Sequence, residues 1–351
     1  MKTALAAALA FSLFSGAALA ETPQPAPPDE KTLKDAYTYL LGRVLVIRQE
    51  HIDRNSANFA FNTIKYNPLG SADFVNPNFD VAYFEAWLAV DDRTPVLLEI
   101  PEIKGRYYTA QILDEWGEVI VNINDRTFPS KPYGKFALVK PGFQGSIPVD
   151  AARVELHSSK AKMLGRVEIK GDPDGAVRLQ QQFKATALGT PVIAPPPALT
   201  MFDNKDLIGA EIFDDVDARL GSALDVASNA AEMQQKVRAI AAYAESSKEA
   251  RAAIDAKLSP IITQFKEEAL TKTSPYLNHW LCASTGGNYG ANYNFRTAAN
   301  YAGIWANTPG EVVYSPAAGM PTNSCSTAAT ATSCTSRPTG FRRRSQMPIG
   351  R

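Results

Sequence analysis

From Val81 to Val90 every second position is apolar: Ala82, Phe84, Ala86, Leu88 and Val90. A period of two predicts a strand with its even face on a core, and Tyr83, Glu85 and Trp87 make the odd face mixed. The same alternation runs through Arg106 to Asp114. One face carries Arg106, Tyr108, Ala110, Ile112 and Asp114, and the other carries Tyr107, Thr109, Gln111 and Leu113. Ahead of it, Val96 to Ile100 is a short β-branched and leucine run closed by Pro101, which cannot donate to a central ladder. Lys104-Gly105 supplies turn chemistry between the two. With a third strand, Val119 to Ile123, after Trp116-Gly117, the stretch from Pro95 to Thr127 reads as a hairpin and its continuation. Further short strands are expected at Phe136–Val139, Arg153–His157 and Leu164–Ile169, with turns at Gly145, Pro148 and Asp172-Pro173. This spacing predicts an antiparallel sandwich rather than a parallel sheet with crossover helices.

Helical periodicity brackets this β-rich stretch. Leu33, Ala36, Leu40, Val44 and Ile47 recur at steps of three and four, which predicts an amphipathic helix over residues 31–50. Pro191 to Pro197 reads as a linker. From Lys205 the period is helical again. Asn229-Ala230-Ala231-Glu232 resembles a capping box, a helix is expected from Lys248 to Leu258, and Ser259-Pro260 is expected to start another. These helices read as a spacer or a dimer element. From Gly286 the chain turns glycine- and asparagine-rich, as at the opening of a second β-domain.

The 351 residues exceed what one core usually serves, so two or three domains are expected. Formal net charge is zero, which offers no electrostatic case for nucleic acid or an anionic membrane. Met1-Lys2, an alanine-rich apolar run and Ala18-Leu19-Ala20 have the layout of a secretory signal peptide cleaved near Ala20. The run is short for a bilayer, so no integral segment is expected after cleavage, and the destination is periplasmic or secreted. With only Cys282, Cys325 and Cys334, a disulfide framework is not expected.

The histidines, His51, His157 and His279, lie far apart in sequence, and no metalloprotease, nucleophile-elbow, P-loop or dinucleotide motif is present. His51 reads as a solvated helix end and His157 as a strand end. No metal or cofactor is implied. The placed polar side chains that remain are Asn78, Asp80, Tyr83, Arg106, Tyr108, Gln111, Asp114, Trp116 and Arg126. One reading sets Asp80, Arg106, Asp114 and Arg126 around a mouth of the sandwich, binding a polar ligand with aromatic rings as platforms. The other makes Arg106–Asp114 and Arg126–Asp80 ion pairs that hold loops.

These residues also carry a resemblance. Asn78, Asp80 and Tyr83, then Pro101, Gly105, Arg106, Tyr107, Tyr108, Gln111, Asp114, Trp116, Arg126 and Thr127, resemble the bacterial domain of unknown function 1254. Pro141-Gly142, Gly145, Pro148 and Leu164-Gly165-Arg166 continue it. Tyr289-Gly290, Asn292-Tyr293, Arg296, Gly303, Ala306-Asn307, Pro309-Gly310-Glu311 and Tyr314 resemble the start of its companion, domain of unknown function 1214. Val81-Ala82 departs from the threonine and leucine that relatives tend to place after the aspartate. The resemblance implies a mainly β protein with a helical segment: an immunoglobulin-like sandwich over residues 31–190, a linker and helices over 191–285, and the start of a jelly-roll-like domain over 286–314. Residues 1–20 would be the leader and 21–30 a flexible lead-in. Residues 315–351 show no alternation and end near Arg342-Arg343-Arg344. Two readings stand for them: a disordered tail, or translation out of frame, since codons compatible with the tail encode a family-like continuation one nucleotide earlier. The resemblance implies no settled activity. The leading functional expectation is an exported protein binding a small polar or sugar-like ligand. The alternatives are a hydrolase or lyase using carboxylate and tyrosine chemistry, and a structural surface protein, with or without self-association.

Overall fold

A computed structural model describes residues 26–72, 77–269, 271–272, 276–277, 280–281, 286–312 and 314. The leader, His279, the cysteines and the tail lie outside the described residues. The element order is α1 (Glu30–Arg54), β1 (Lys65–Tyr66), β2 (Val81–Ala89), β3 (Val96–Ile100), β4 (Tyr108–Leu113), β5 (Val119–Ile123), β6 (Gly134–Val139), β7 (Ala151–Glu155), β8 (Lys160–Glu168), α2 (Pro173–Gln180) and β9 (Lys184–Ala187). A 3-10 turn (Ala210–Phe213), α3 (Val216–Gly221), α4 (Ala230–Ser246), α5 (Lys248–Glu268), a pair of two-residue strands β10 (Tyr276–Leu277) and β11 (Trp280–Leu281), and α6 (Tyr293–Ala302) follow.

Two sheets form a sandwich, sheet A in the order β1-β2-β8-β4-β5 and sheet B in the order β7-β6-β3-β9. The even face of β2 packs inward as its alternation predicts, with Ala82, Phe84, Ala86 and Leu88 against Tyr108, Ala110 and Ile112 of β4 and Leu98, Phe136 and Leu138 of sheet B. Gly165 is required in this core, because a Cβ there would strike the Phe84 ring. All pairings are antiparallel except β6 with β7.

The expected hairpin between β3 and β4 does not form. β3 pairs with β6 and β9 in sheet B, whereas β4 pairs with β8 and β5 in sheet A. The chain through Pro101 and Gly105 is therefore an arch from one sheet to the other. Both strands still bury their apolar residues in one core, so local alternation is the same for an arch and a hairpin. Only the ladder partners, which are distant in sequence, differ.

Helix α1 is not amphipathic in use. It is buried on all sides from Ala36 to Ile47, with Glu50 buried beyond it. Val46 packs on Trp87, Leu113 and Leu164 from the outer face of sheet A. Leu40, Leu41, Val44 and Leu45 join Val237, Ile240, Ile254 and Leu258 of α4 and α5 in a helical core on the other side. Asp29 caps the helix, accepting from Thr32 N at 2.8 Å. At Gly42 the crossing with α6 is so close that a Cβ would lie 2.5 Å from Thr297 Oγ1.

Three smaller expectations are corrected. Asn229 starts α4 but makes no side-chain cap; its amide instead donates to Ala291 O at 3.0 Å. Pro260 lies inside a continuous α5 and starts no new helix. Residues 286–312 form α6 and loops rather than opening a set of strands, and they pack on α1 and on the outer face of sheet A. No described helix is long and apolar enough to cross a membrane.

Candidate functional site

The outer face of β2, β8 and β4 in sheet A is covered, by α1 toward the Lys160 end of β8 and by residues 286–312 and Tyr314 toward the other. β8 runs the length of this face. Ala161, Met163 and Val167 point into the sandwich, so Lys160, Lys162, Leu164 and Arg166 point outward, and all four are buried. Three buried cations with a period of two on one strand need counter-charge from above.

At the α1 end they receive it. Lys160 Nζ lies 2.7 Å from Glu50 and 3.5 Å from Glu115, and Lys162 Nζ lies 2.8 Å from Glu85 and 3.1 Å from Asp53. Arg43 reaches Glu115 at 3.3 Å. In the neighbouring turn, Asp114 Oδ1 accepts from the backbone N–H groups of Trp116 and Glu118, at 2.8 and 2.9 Å. That leaves Oδ2 for His157 Nδ1 at 2.7 Å. The hydrogen bond that His157 donates to this carboxylate raises its pKa above the usual 6.5. Burial pushes Glu118 up to about 7, and its Oε2 accepts from Tyr289 N at 2.9 Å. Beside it, Arg296 forms a bidentate pair with Asp225 at 2.9 and 2.8 Å.

At the other end the arrangement differs. Arg166 Nη1 donates to Gln111 Oε1 at 2.9 Å, and Gln111 Nε2 donates to Ala306 O at 2.9 Å. The Arg166 guanidinium lies 5.4 Å from the Tyr83 ring centre. Its other close neighbours are the phenols of Tyr107 and Tyr314. Among the described residues no carboxylate pairs with it. Glu311, fully buried above, is already committed to Arg126 at 2.7 Å, Asn124 at 2.8 Å and Thr127 at 3.1 Å. Asn122 donates to Asn307 Oδ1 at 2.9 Å, and Tyr314 Oη accepts from Asn307 N at 2.9 Å. Two donors in this layer, the Tyr289 hydroxyl and Asn307 Nδ2, are buried without a hydrogen-bond partner. Burial also drives the Tyr107 and Tyr289 phenols well above their usual range, so both stay protonated. This buried polar layer, the chamber, has β2, β8, β4 and β5 as its floor and residues 304–312 with Tyr314 as its roof.

Of the sequence-predicted residues, Tyr83, Gln111 and Arg126 converge on this chamber. Asn78 sits at its edge, its N–H donating to the Tyr83 hydroxyl at 3.0 Å. Asp80 is exposed and contributes only a carbonyl, to Ile169 N at 2.8 Å. Tyr108 belongs to the sandwich core, its hydroxyl donating to Pro132 O at 2.8 Å. Arg106 is spent on Asp172 at 3.0 Å and on the carbonyls of Glu168 and Ile169. Asp114 stands beyond the opposite end of β4, which is roughly 20 Å long at strand rise, in the turn with His157. The ion pairs Arg106–Asp114 and Arg126–Asp80 do not form. The polar residues gather on the outer face of one sheet, not around a mouth of the sandwich. Arg166, Glu311, Asn307, Tyr289 and His157 carry the geometry that residue-type reasoning passed over. The alternation Lys160, Lys162, Arg166 was the signal available for the first of them. Among the described residues no cluster of histidine, cysteine and carboxylates is placed to hold a metal ion.

A family model described as "Protein of unknown function (DUF1254)" matches residues 59–187, which takes in β1 to β9 but neither α1 nor the chamber roof. The chain is also similar to the crystal structure of the VPA0106 protein from Vibrio parahaemolyticus. Identity is 19%, the TM-score is 0.60, and the match covers 81% of this chain and 70% of that one. At that identity the likeness speaks to the fold alone. No curated protein matches the chain.

Proposed function

We propose that the protein binds a small polar ligand in the chamber between sheet A and residues 304–314. The observation that carries this reading is the pair of buried donors, Tyr289 Oη and Asn307 Nδ2, left without partners in a layer where nearly every other polar group is bonded. An unsatisfied buried donor costs on the order of 1–3 kcal/mol, a cost that a bound acceptor removes. Tyr83 and Tyr107 supply aromatic faces, and Gln111 and Asn122 fix the floor to the roof. The leader-like first 20 residues support an exported setting, and the motifs from Tyr289 to Tyr314 support a pairing with a 1214-type companion domain. The test is a thermal-shift screen of polar metabolites on the full chain, repeated on Asn307→Ala. Compounds that raise Tm in the wild type are expected to lose most of that shift in the variant. A screen in which no polar compound raises Tm, or in which Asn307→Ala responds as the wild type does, ends the proposal.

A second reading, acid–base catalysis, is favoured by one observation at the other end of the face. Asp114 is fixed by two backbone donors and orients His157 Nδ1, while Nε2 has no partner among the described residues. This is the orientation a general base needs. It places histidine where the sequence reading placed carboxylate and tyrosine. Turnover of any substrate that survives His157→Gln unchanged refutes it.

A further inference from the structure

We propose that the chamber ligand is an organic monoanion, a small carboxylate, with Arg166 as its counter-charge. This rests on the chamber reading above and specifies it. Three observations converge. The first is the charge balance: Glu311 and Arg126 neutralise one another at 2.7 Å, which among the described residues leaves Arg166 as a buried cation whose neighbours are phenols and a carboxamide. Burying a charge without a partner is strongly unfavourable, so a native chain carrying one there is completed by an anion. A single negative charge balances the site, whereas a phosphate dianion leaves it overcharged.

The second observation is the internal contrast along β8. Lys160 and Lys162 are buried on the same face of the same strand, and each meets two carboxylates. The fold thus supplies protein acids to buried cations where the charge is structural. Among the described residues it supplies none to Arg166, six residues beyond Lys160 on the same face. The third is the sign of the unspent atoms. At the α1 end the orphaned side-chain atoms are mixed, with acceptors Glu115 Oε2 and Glu118 Oε1 beside donors Arg43 Nε and Arg296 Nε. Under residues 304–312 the orphaned atom is a donor, Asn307 Nδ2, and a second donor, Tyr289 Oη, lies between the two ends, its backbone N–H bonded to Glu118. Orphaned donors in the layer that holds Arg166 suit an acceptor-only group, and a carboxylate is one, with two oxygens and about four lone-pair positions. A neutral sugar brings donors of its own and leaves the cation unpaired. The flanking rings of Tyr83, Tyr107 and Tyr314 suit a flat or apolar remainder on the ligand.

The experiment titrates the full chain with acetate, propionate, lactate and benzoate, and with the matching neutral amides, at fixed ionic strength and fixed chloride, by calorimetry and thermal shift. At least one carboxylate is expected to bind at least ten-fold more tightly than its amide. Arg166→Gln is expected to weaken that carboxylate by about 10- to 100-fold, the scale of a charge-assisted contact. Arg106→Gln, on a surface pair, is expected to leave it unchanged. Tyr289→Phe, which removes one orphaned hydroxyl and no contact, is expected to weaken it several-fold, and it keeps the test open if Arg166→Gln fails to fold. Equal affinity for acid and amide, or carboxylate affinity that persists in Arg166→Gln or in Tyr289→Phe, overturns the inference. Binding confined to neutral polyols also overturns it while leaving the chamber reading intact. Absence of any binding removes both.

Discussion

The two ends of β8 bury the same kind of side chain and treat it in opposite ways. At the Lys160 end each cation is matched inside the protein by acids from α1, β2 and the β4–β5 turn. At the Arg166 end the cation rests among phenols and, among the described residues, Glu311, the buried acid of that layer, already has a cation of its own. Buried ion pairs contribute little net stability over apolar packing, but breaking one by removing a single partner is severe. The difference therefore separates a part of the molecule that depends on its charges to stay folded from a part that does not. Charge that folding does not require is charge available to a ligand.

The largest expected effect follows at the paired end. Lys160→Met leaves Glu50 and Glu115, both buried, with one cation fewer between them. A loss of about 3–5 kcal/mol is expected, the scale for an orphaned buried charge, read as a fall in the urea midpoint. Arg166→Met at the other end removes a cation with no acid to orphan among the described residues and costs the Gln111 hydrogen bond and the contact with the Tyr83 ring. Its ligand-free stability is expected to stay within about 1 kcal/mol of wild type. Equal losses in the two variants would erase the comparison.

The comparison also explains what the sequence could and could not carry. The even face of β2 and the inward face of β4 were legible because burial of one strand face repeats every second residue, whatever the partner strand. The β3–β4 connection was misread because hairpin and arch share that local pattern. The choice between them lies in ladders to Gly134–Val139 and Lys184–Ala187. Helix α1 looked amphipathic because Leu33, Ala36, Leu40, Val44 and Ile47 recur at steps of three and four, a spacing that is silent on Arg43 and Glu50. They are buried because Glu115 and Lys160 meet them from more than 70 and 100 residues away, which no window along the chain can contain. Of the site, Tyr83, Gln111 and Arg126 were picked out as polar residues on strands. Arg166 was seen only as part of a motif, because its meaning is the absence of a partner, and an absence in space has no sequence signature.

A third, intermediate effect concerns pH and belongs to the α1 end. Glu118 is held up to about 7 by burial, against an ordinary 4.5. Between those values the folded state keeps a proton that the unfolded state has released, so this group's contribution is fully present below pH 4.5 and disappears as pH rises through 7. His157, raised by Asp114, acts in the same direction: its contribution is intact below 6.5 and is lost as pH climbs through its folded value. Wild-type stability relative to Glu118→Gln is therefore expected to fall between pH 5 and 8. The difference between about 7 and 4.5 corresponds to roughly 3 kcal/mol at most. Parallel stability–pH curves for the two proteins would remove Glu118 from the account.

The smallest effects give the finest resolution, since they compare two buried tyrosines that differ in little but their partners. The Tyr39 hydroxyl donates to Asp225 at 2.7 Å inside the Arg296 pair, so Tyr39→Phe removes a bond to a charged acceptor and is expected to cost about 1.5–3 kcal/mol. The Tyr289 hydroxyl is just as buried but unpartnered. Deleting it removes a group that folding desolvated for nothing, so Tyr289→Phe is expected to be neutral or to gain up to about 1 kcal/mol in the ligand-free protein. The measurement is paired chemical denaturation of both variants without ligand and then with a saturating carboxylate. Without ligand the tyrosines should differ by the full gap, and with ligand Tyr289→Phe should fall behind wild type as the hydroxyl acquires a use. If Tyr289→Phe is destabilised as much as Tyr39→Phe before any ligand is added, the chamber is satisfied from within, and the contrast between the two ends of β8 is one of composition rather than of function.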